Sequence, residues 1–210
     1  MFQAASHKPI YSLDCEMVSA REHKRVKNVC GRVSVVDGAG NIVLDTYVLP
    51  RGRIVNYHTK WSGIEQHHMD DAVPFEDVKA TLTDMLRDSR LIGHAIFNDL
   101  KCLELDGRTL NADINDTCSS IMLRHLAGFD LKNQASLKRL TKRVYNESIQ
   151  SGHHCSKVDA LCTLRLYNKE VEVWQHLGGG LVTSTTAEAK PPSKRKKRLL
   201  AALDELKEAH

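Results

Sequence analysis

Tyr11-Ser12-Leu13-Asp14-Cys15-Glu16-Met17-Val18 sets two acids two positions apart inside an otherwise apolar run. The run reads as a strand. Strand side chains alternate with a period of two, so Asp14 and Glu16 share one face while Leu13 and Cys15 share the other. Two carboxylates on a core strand lose their water and repel each other. Two resolutions are open: an edge strand with one wet face carrying solvated acids, or a hard divalent cation at the strand's end that takes the carboxylate oxygens.

Outward from that stretch, 10–15, 29–36 and 41–48 read as strands, and Asp37-Gly38-Ala39-Gly40-Asn41 predicts a hairpin between the second and third. Arg21-Glu22-His23-Lys24-Arg25-Val26-Lys27 reads as a basic loop, either simply solvated or in contact with phosphate. Residues 50–72 have no clear period, and Tyr57-His58-Thr59-Lys60-Trp61-Ser62-Gly63-Ile64 offers groups that stack or donate hydrogen bonds. A helix is expected over 74–86, with proline in its first turn and Val78, Leu82, Met85 and Leu86 on one face, then a short buried strand at 90–93. In Gly93-His94-Ala95-Ile96-Phe97-Asn98-Asp99-Leu100, Asn98 or Asp99 is placed to cap a helix. A strand end at 114–117 precedes helices near 118–126 and 136–144. The second carries Leu137, Leu140 and Val144 inward, with Lys138, Arg139, Lys142 and Arg143 outward as a solvated face. Gly152-His153-His154-Cys155-Ser156-Lys157-Val158-Asp159-Ala160-Leu161 runs from a loop into a helix continuing to 173. Asp159 there is open to two readings, a first-turn acid favoured by the helix dipole or a functional group.

With 210 residues and 41% apolar content the chain can close one full core, and no apolar run reaches membrane-spanning length. The N-terminus lacks a secretory pattern. Six scattered cysteines without a C-x-x-C pair read as reduced core thiols of an intracellular protein and argue against a structural zinc site. Residues 178–210 hold seven Lys/Arg against four Asp/Glu, which leaves the rest of the chain nearly neutral, so nucleic acid would have to meet a local patch. Gly178-Gly179-Gly180, Thr183 to Thr186 and Pro191-Pro192 read as a linker, so the expected division is a domain over 8–176 and a flexible basic tail over 177–210. Lys194-Arg195-Lys196-Lys197-Arg198 resembles a nuclear or nucleolar import signal or serves as an extra phosphate contact, and 199–209 could form only a marginal helix.

Five motifs in order resemble the DEDDh exonucleases: Leu13 to Val18, Trp61-Ser62-Gly63-Ile64, Gly93-His94-Ala95 with Asn98-Asp99-Leu100, Asp116-Thr117, and His154 through Asp159-Ala160. The nearer likeness is to the subgroup of the interferon-stimulated 20 kDa exonuclease and the Rex4-type RNA exonucleases, over roughly residues 8–173. The resemblance implies an α/β, ribonuclease H-like fold: a central mixed sheet of about five strands, one antiparallel to the rest, flanked by helices. It implies that Asp14, Glu16, Asp99 and Asp159 hold two divalent ions, Mg²⁺ or Mn²⁺, one activating water and one stabilising the leaving 3′ oxygen. His154, five positions before the last acid, would be the general base, suited by an imidazole's ordinary pKa near neutrality, with His153 a spectator. Met17 would pack against the terminal nucleotide or else belong to the core, and His94 and Asn98 would shape the site behind Asp99. His58 stands where the related enzymes carry arginine in Tyr-Arg-Thr, exchanging a fixed cationic fork for one donor and one acceptor.

The function so implied is metal-dependent 3′–5′ hydrolysis of single-stranded RNA to nucleoside 5′-monophosphates, in RNA processing or turnover. A DNA-directed 3′–5′ exonuclease and a non-catalytic nucleic-acid-binding protein on the same scaffold are the alternatives. Expected partners are single-stranded RNA or DNA with a free 3′ end and an import receptor at 194–198, with no membrane; the expected location is the nucleus or nucleolus.

Overall fold

Seven strands form one mixed sheet in the computed structural model, which describes residues 8–131 and 133–176. Its centre runs in the order β3 (Ile42–Leu49), β2 (Arg25–Asp37), β1 (Ile10–Glu22), β6 (Arg90–Gly93), β7 (Asp113–Asp116). β1 pairs with β6 and β6 with β7 in parallel, while β2 is antiparallel to both β1 and β3. The expected centre with a single antiparallel strand is therefore present, and two short strands extend it. β4 (Arg53–Asn56) pairs with the far end of β1, and β5 (Val73–Pro74) lies beside β3.

The helices are α1 (Thr59–Ser62), α2 (Phe75–Met85), α3 (Phe97–Cys102), α4 (Ile121–Leu126), α5 (Leu137–Tyr145) and α6 (Ser156–His176). Ser120 and Ser136 start α4 and α5 by accepting the N–H groups of Leu123 and Arg139, which satisfies donors that a helix's first turn leaves free. None of the described helices is long and apolar enough to cross a membrane.

Alternation along β1 divides the core. Leu13 packs with Val33, Val35, Leu82, Leu86 and Ile96 on the side covered by α2 and α3. On the opposite side Val36 and Ile92 meet Ala160, Leu164 and Tyr167 of α6, and the Ser12 hydroxyl donates to the Ala160 carbonyl. Positions 12, 14 and 16 therefore face α6.

Four expectations are corrected. Arg21 to Lys27 is not a loop: β1 and β2 form a hairpin paired out to Glu22 and Arg25, and only His23 and Lys24 turn. Residues 50–72 are less irregular than their period suggests, since β4, α1 and a short 3₁₀ turn (Gln66–Met69) lie there. Neither Asn98 nor Asp99 caps a helix. α3 begins after Ile96 without a side-chain cap, and Asp99 is buried in its first turn. Finally, three of the scattered cysteines meet in space, as described below. The tail expected over 177–210, with its basic cluster at 194–198, lies outside the described residues.

Candidate active site

The face shared by Asp14 and Glu16 meets the first turn of α6, which carries Asp159. Oxygens of Asp14, Glu16 and Asp159 lie within 4.8 Å of one another. The register of β1 against β2 shifts between Glu16 and Met17, a bulge that ends the regular alternation just past the acid pair. These three acids line a cavity of about 400 Å³ together with His94, Gln150 and His154.

Burial and mutual repulsion dominate the electrostatics. Burial pushes the Asp14 carboxyl well above the usual range, and the charges of Asp99, Asp159 and Glu16 push it further. Glu16 is raised to about 8, first by burial and then by Asp159, with Arg32 across the strand pair opposing. Burial also raises Asp99 and Asp159, and for Asp159 the Gln150 amide and His154 offset part of the rise. Glu16 Oε1 and Asp159 Oδ1 are buried without a hydrogen-bond donor. Converging carboxylate oxygens, two of them orphaned, fit a hard divalent cation, which prefers oxygen ligands and removes the repulsion.

His154 reaches the cavity because the turn around α1 holds its backbone: its N–H donates to the Trp61 carbonyl at 2.6 Å. Its Nδ1 lies 3.9 Å from Asp159 Oδ2, and the side chain is 39% exposed, open to a solvent molecule or a substrate. His153 points elsewhere. Its ring lies against Gly63, where an added Cβ would come within 2.7 Å of His153 Cδ2.

The remaining expected site residues divide. Asp99 lies behind the cavity, where one oxygen accepts the Cys15 N–H at 3.0 Å and its charge reaches Asp14. His94 lines the cavity, 3.0 Å from the Thr117 hydroxyl, and burial lowers its pKa to about 4, so it is neutral. Met17 packs against the main core, Asn98 is exposed, and neither lines the cavity. His58 lies outside the lining too. It precedes α1 with a left-handed φ of 53°, its ring 2.7 Å from the Ser19 hydroxyl.

Two further residues support the site. The Gln150 amide donates to Asp159 Oδ2 at 2.8 Å, fixing that carboxylate from a loop. Asp116 accepts the N–H groups of Ala95 and Cys118, holding the corner in which Ala95 takes a φ of 55° beside His94. The Asp116-Thr117 pair carried a signal within its motif. A glutamine in a polar loop carries none.

On the reverse side of β1, the sulfurs of Cys15, Cys30 and Cys102 lie within 4.8 Å of one another. Chain separation hid this cluster, because β1, β2 and α3 each supply one thiol. All six cysteines are free thiols. Sulfur donors suit soft ions, so the oxygen cluster is the group matched to Mg²⁺ or Mn²⁺.

Comparison with known proteins agrees with this geometry. The model of the family described as Exonuclease (RNase_T) matches residues 12–167. Interferon-stimulated 20 kDa exonuclease-like 2 of Mus musculus is 39% identical over 170 residues, covering 79% of this chain and 45% of that protein. RNA exonuclease 4 of Xenopus tropicalis is 35% identical over 186 residues, covering 88% of this chain and 44% of that protein. The chain thus spans less than half the length of either relative. Among solved structures, the Saccharomyces cerevisiae Pan2 pseudoubiquitin hydrolase-RNA exonuclease module in complex with AAGGA RNA superposes with a TM-score of 0.66. Identity there is 23%, with 99% of this chain and 33% of that chain covered, a likeness of fold.

Proposed function

This chain belongs to the RNase T exonuclease family, and on that premise we propose that it is a metal-dependent 3′–5′ exoribonuclease releasing nucleoside 5′-monophosphates from single-stranded RNA. The observation that carries the reading is the oxygen cluster of Asp14, Glu16 and Asp159 in one cavity with His154 at its open side. Asp14, Glu16, Asp99 and Asp159 would hold two Mg²⁺ or Mn²⁺ ions. Bound there, the ions supply Lewis-acid stabilisation of charge on the reacting phosphate and lower the pKa of water.

The chain's own groups do the rest. His154 turns Nδ1 toward Asp159, which leaves Nε2 to take the proton of the attacking water. Gln150 and the Cys15 N–H orient Asp159 and Asp99, so the acids do not have to be ordered when substrate arrives. His94, neutral and half-buried, shapes the wall without adding positive charge. A terminal nucleotide must leave its stack to enter, which favours single strands. The names of the relatives, RNA exonuclease 4 among them, support RNA as the polymer. The basic cluster at 194–198 supports import into the nucleus or nucleolus through a receptor.

The test is nucleotide release from 3′-labelled single-stranded RNA and DNA of one sequence, with Mg²⁺ or Mn²⁺. Mononucleotide release that needs metal, favours RNA, and falls at least about 100-fold in Asp14→Asn and His154→Ala is the expected result. Binding without release from either polymer would replace the enzyme with a nucleic-acid-binding scaffold, and a preference for DNA would reassign the substrate.

A further inference from the structure

Several surface cations among the described residues are paired with acids: Lys8 with Asp113, Arg32 with Asp45, Arg51 with Glu104, Arg165 with Glu147, Lys169 with Glu172. α5 gathers four cations on one short helix. Its nine residues include Lys138, Arg139, Lys142 and Arg143 and no acid, and all four cations are exposed. None has a carboxylate partner among the described residues. The two lysines donate to the backbone carbonyls of Gln150 and Asn146, while the guanidinium groups of Arg139 and Arg143 lie 4.5 and 6.0 Å from the centre of the Phe129 ring.

The spacing is unfavourable for a helix standing alone. Lys138 with Lys142 and Arg139 with Arg143 are like charges at i and i+4, which destabilise a helix. A purely solvated face is served as well by mixed charge. The position of the helix supplies a reason: α5 starts at the cavity, whose wall includes Gln134, Ser136 and Leu137. The four cations continue along the helix from that wall, and about 6 Å of helix rise separates each like pair.

We infer that the outward face of α5 is a binding site for the sugar-phosphate backbone of the single strand whose 3′ end occupies the cavity. This deepens the exonuclease reading and rests on it. Arg139, Lys142 and Arg143 contact phosphates upstream of the reacting one, and the aromatic ring of Phe129 holds the two guanidinium groups above it. Neutralised phosphates release counterions, so the contribution depends on strand length and on salt. A dinucleotide is too short to reach this face; a strand of about 15 nucleotides covers it.

The experiment compares the full chain with the double variant Lys142→Gln, Arg143→Gln on a dinucleotide and on a single-stranded RNA of about 15 nucleotides, across a salt series. A second double variant, Lys24→Gln with Arg25→Gln, tests the tip of the β1–β2 hairpin as the rival track. The α5 variant should raise KM for the long strand about three- to tenfold. It should also reduce the slope of log KM against log salt by about 0.7 per lost contact, leaving kcat and dinucleotide turnover unchanged. Unchanged KM and slope would overturn the inference. So would equal losses on both substrates, which mean a damaged site, or a length effect confined to the hairpin variant. If the unaltered chain releases no nucleotide, the parent reading fails. Fluorescence anisotropy of the same long strand then judges the α5 face by itself, with weaker, less salt-dependent binding by its variant supporting the site and equal binding rejecting it.

Discussion

Glu16 concentrates the physics of the site in one side chain. It is 5% exposed, one of its oxygens has no donor, and its pKa stands at about 8 against 4.5 for a free glutamate. A folded-state pKa raised in this way gives stability that is complete below the unfolded value and is lost as pH rises through the folded one. Metal-free protein should therefore lose stability between pH 4.5 and about 8 from this residue. Mn²⁺, which binds the ionised form, should raise the melting temperature more at high pH than at low pH. Thermal melts with chelator and with Mn²⁺ over that range read both effects. Glu16→Gln should flatten the chelated profile and shrink the metal gain; a profile as steep as the parent's would exclude Glu16 as the source. His58 poses the other residue-scale question. Its ring is tied to Ser19, outside the cavity wall, at the position where the resemblance to the DEDDh subgroup implies an arginine. His58→Arg should raise turnover of RNA relative to DNA of matched sequence, and an unaltered ratio would reject a role for this position in telling the two polymers apart. At this scale the alternation rule made Asp14 and Glu16 legible as a pair. Gln150 was not legible, because its role comes from a loop folded onto Asp159 rather than from any periodicity.

Among the elements, the turn around α1 governs the placement of His154, the proposed general base. Gly63 ends α1 with a φ of 64°, a conformation that favours glycine, and its missing Cβ leaves room for the His153 ring. The Trp61 carbonyl in the same turn accepts the His154 N–H. Gly63→Ala adds left-handed strain of about 1–2 kcal/mol and drives a methyl into His153, displacing the adjacent histidine. The expected result is a melting temperature lower by about 2–6 °C, together with a fall in kcat that exceeds any change in KM. Wild-type kcat in a destabilised variant would separate this turn from catalysis. Element legibility followed the same physics. α2, α5, α6 and the β2–β3 hairpin showed in the sequence because each buries one face at its own period. The basic stretch at 21–27 was misread because its exposed end of a hairpin has no buried face to impose alternation. The cysteine cluster escaped because its members come together only through the pairing of β1 with β2 and the packing of α3 on the sheet.

At the scale of the molecule, the question is how much chain the reaction needs. Asp14 and Glu16 stand on the central strand, Asp99 at the start of α3 and Asp159 in the first turn of α6, so the cavity closes only when both faces of the sheet are covered. Those faces are covered by described residues: α2 and α3 on one side, and α6, buried as far as Val173, on the other. The family match ends at 167, within α6. A chain ended after His176 should therefore keep its metal-dependent melting gain and release nucleotide within about twofold of the full chain's kcat, because Asp14, Glu16, Asp99, Asp159, His154 and the helices described above are all retained. Its KM at low salt should rise, since the deleted stretch contains Lys194-Arg195-Lys196-Lys197-Arg198, five cations able to meet phosphate. Steady-state release by the two chains across a salt series measures both quantities. A truncated chain that melts normally but turns over nothing would place part of the catalytic machinery beyond 176 and overturn the division, whereas a shift in KM alone would assign the tail to substrate capture.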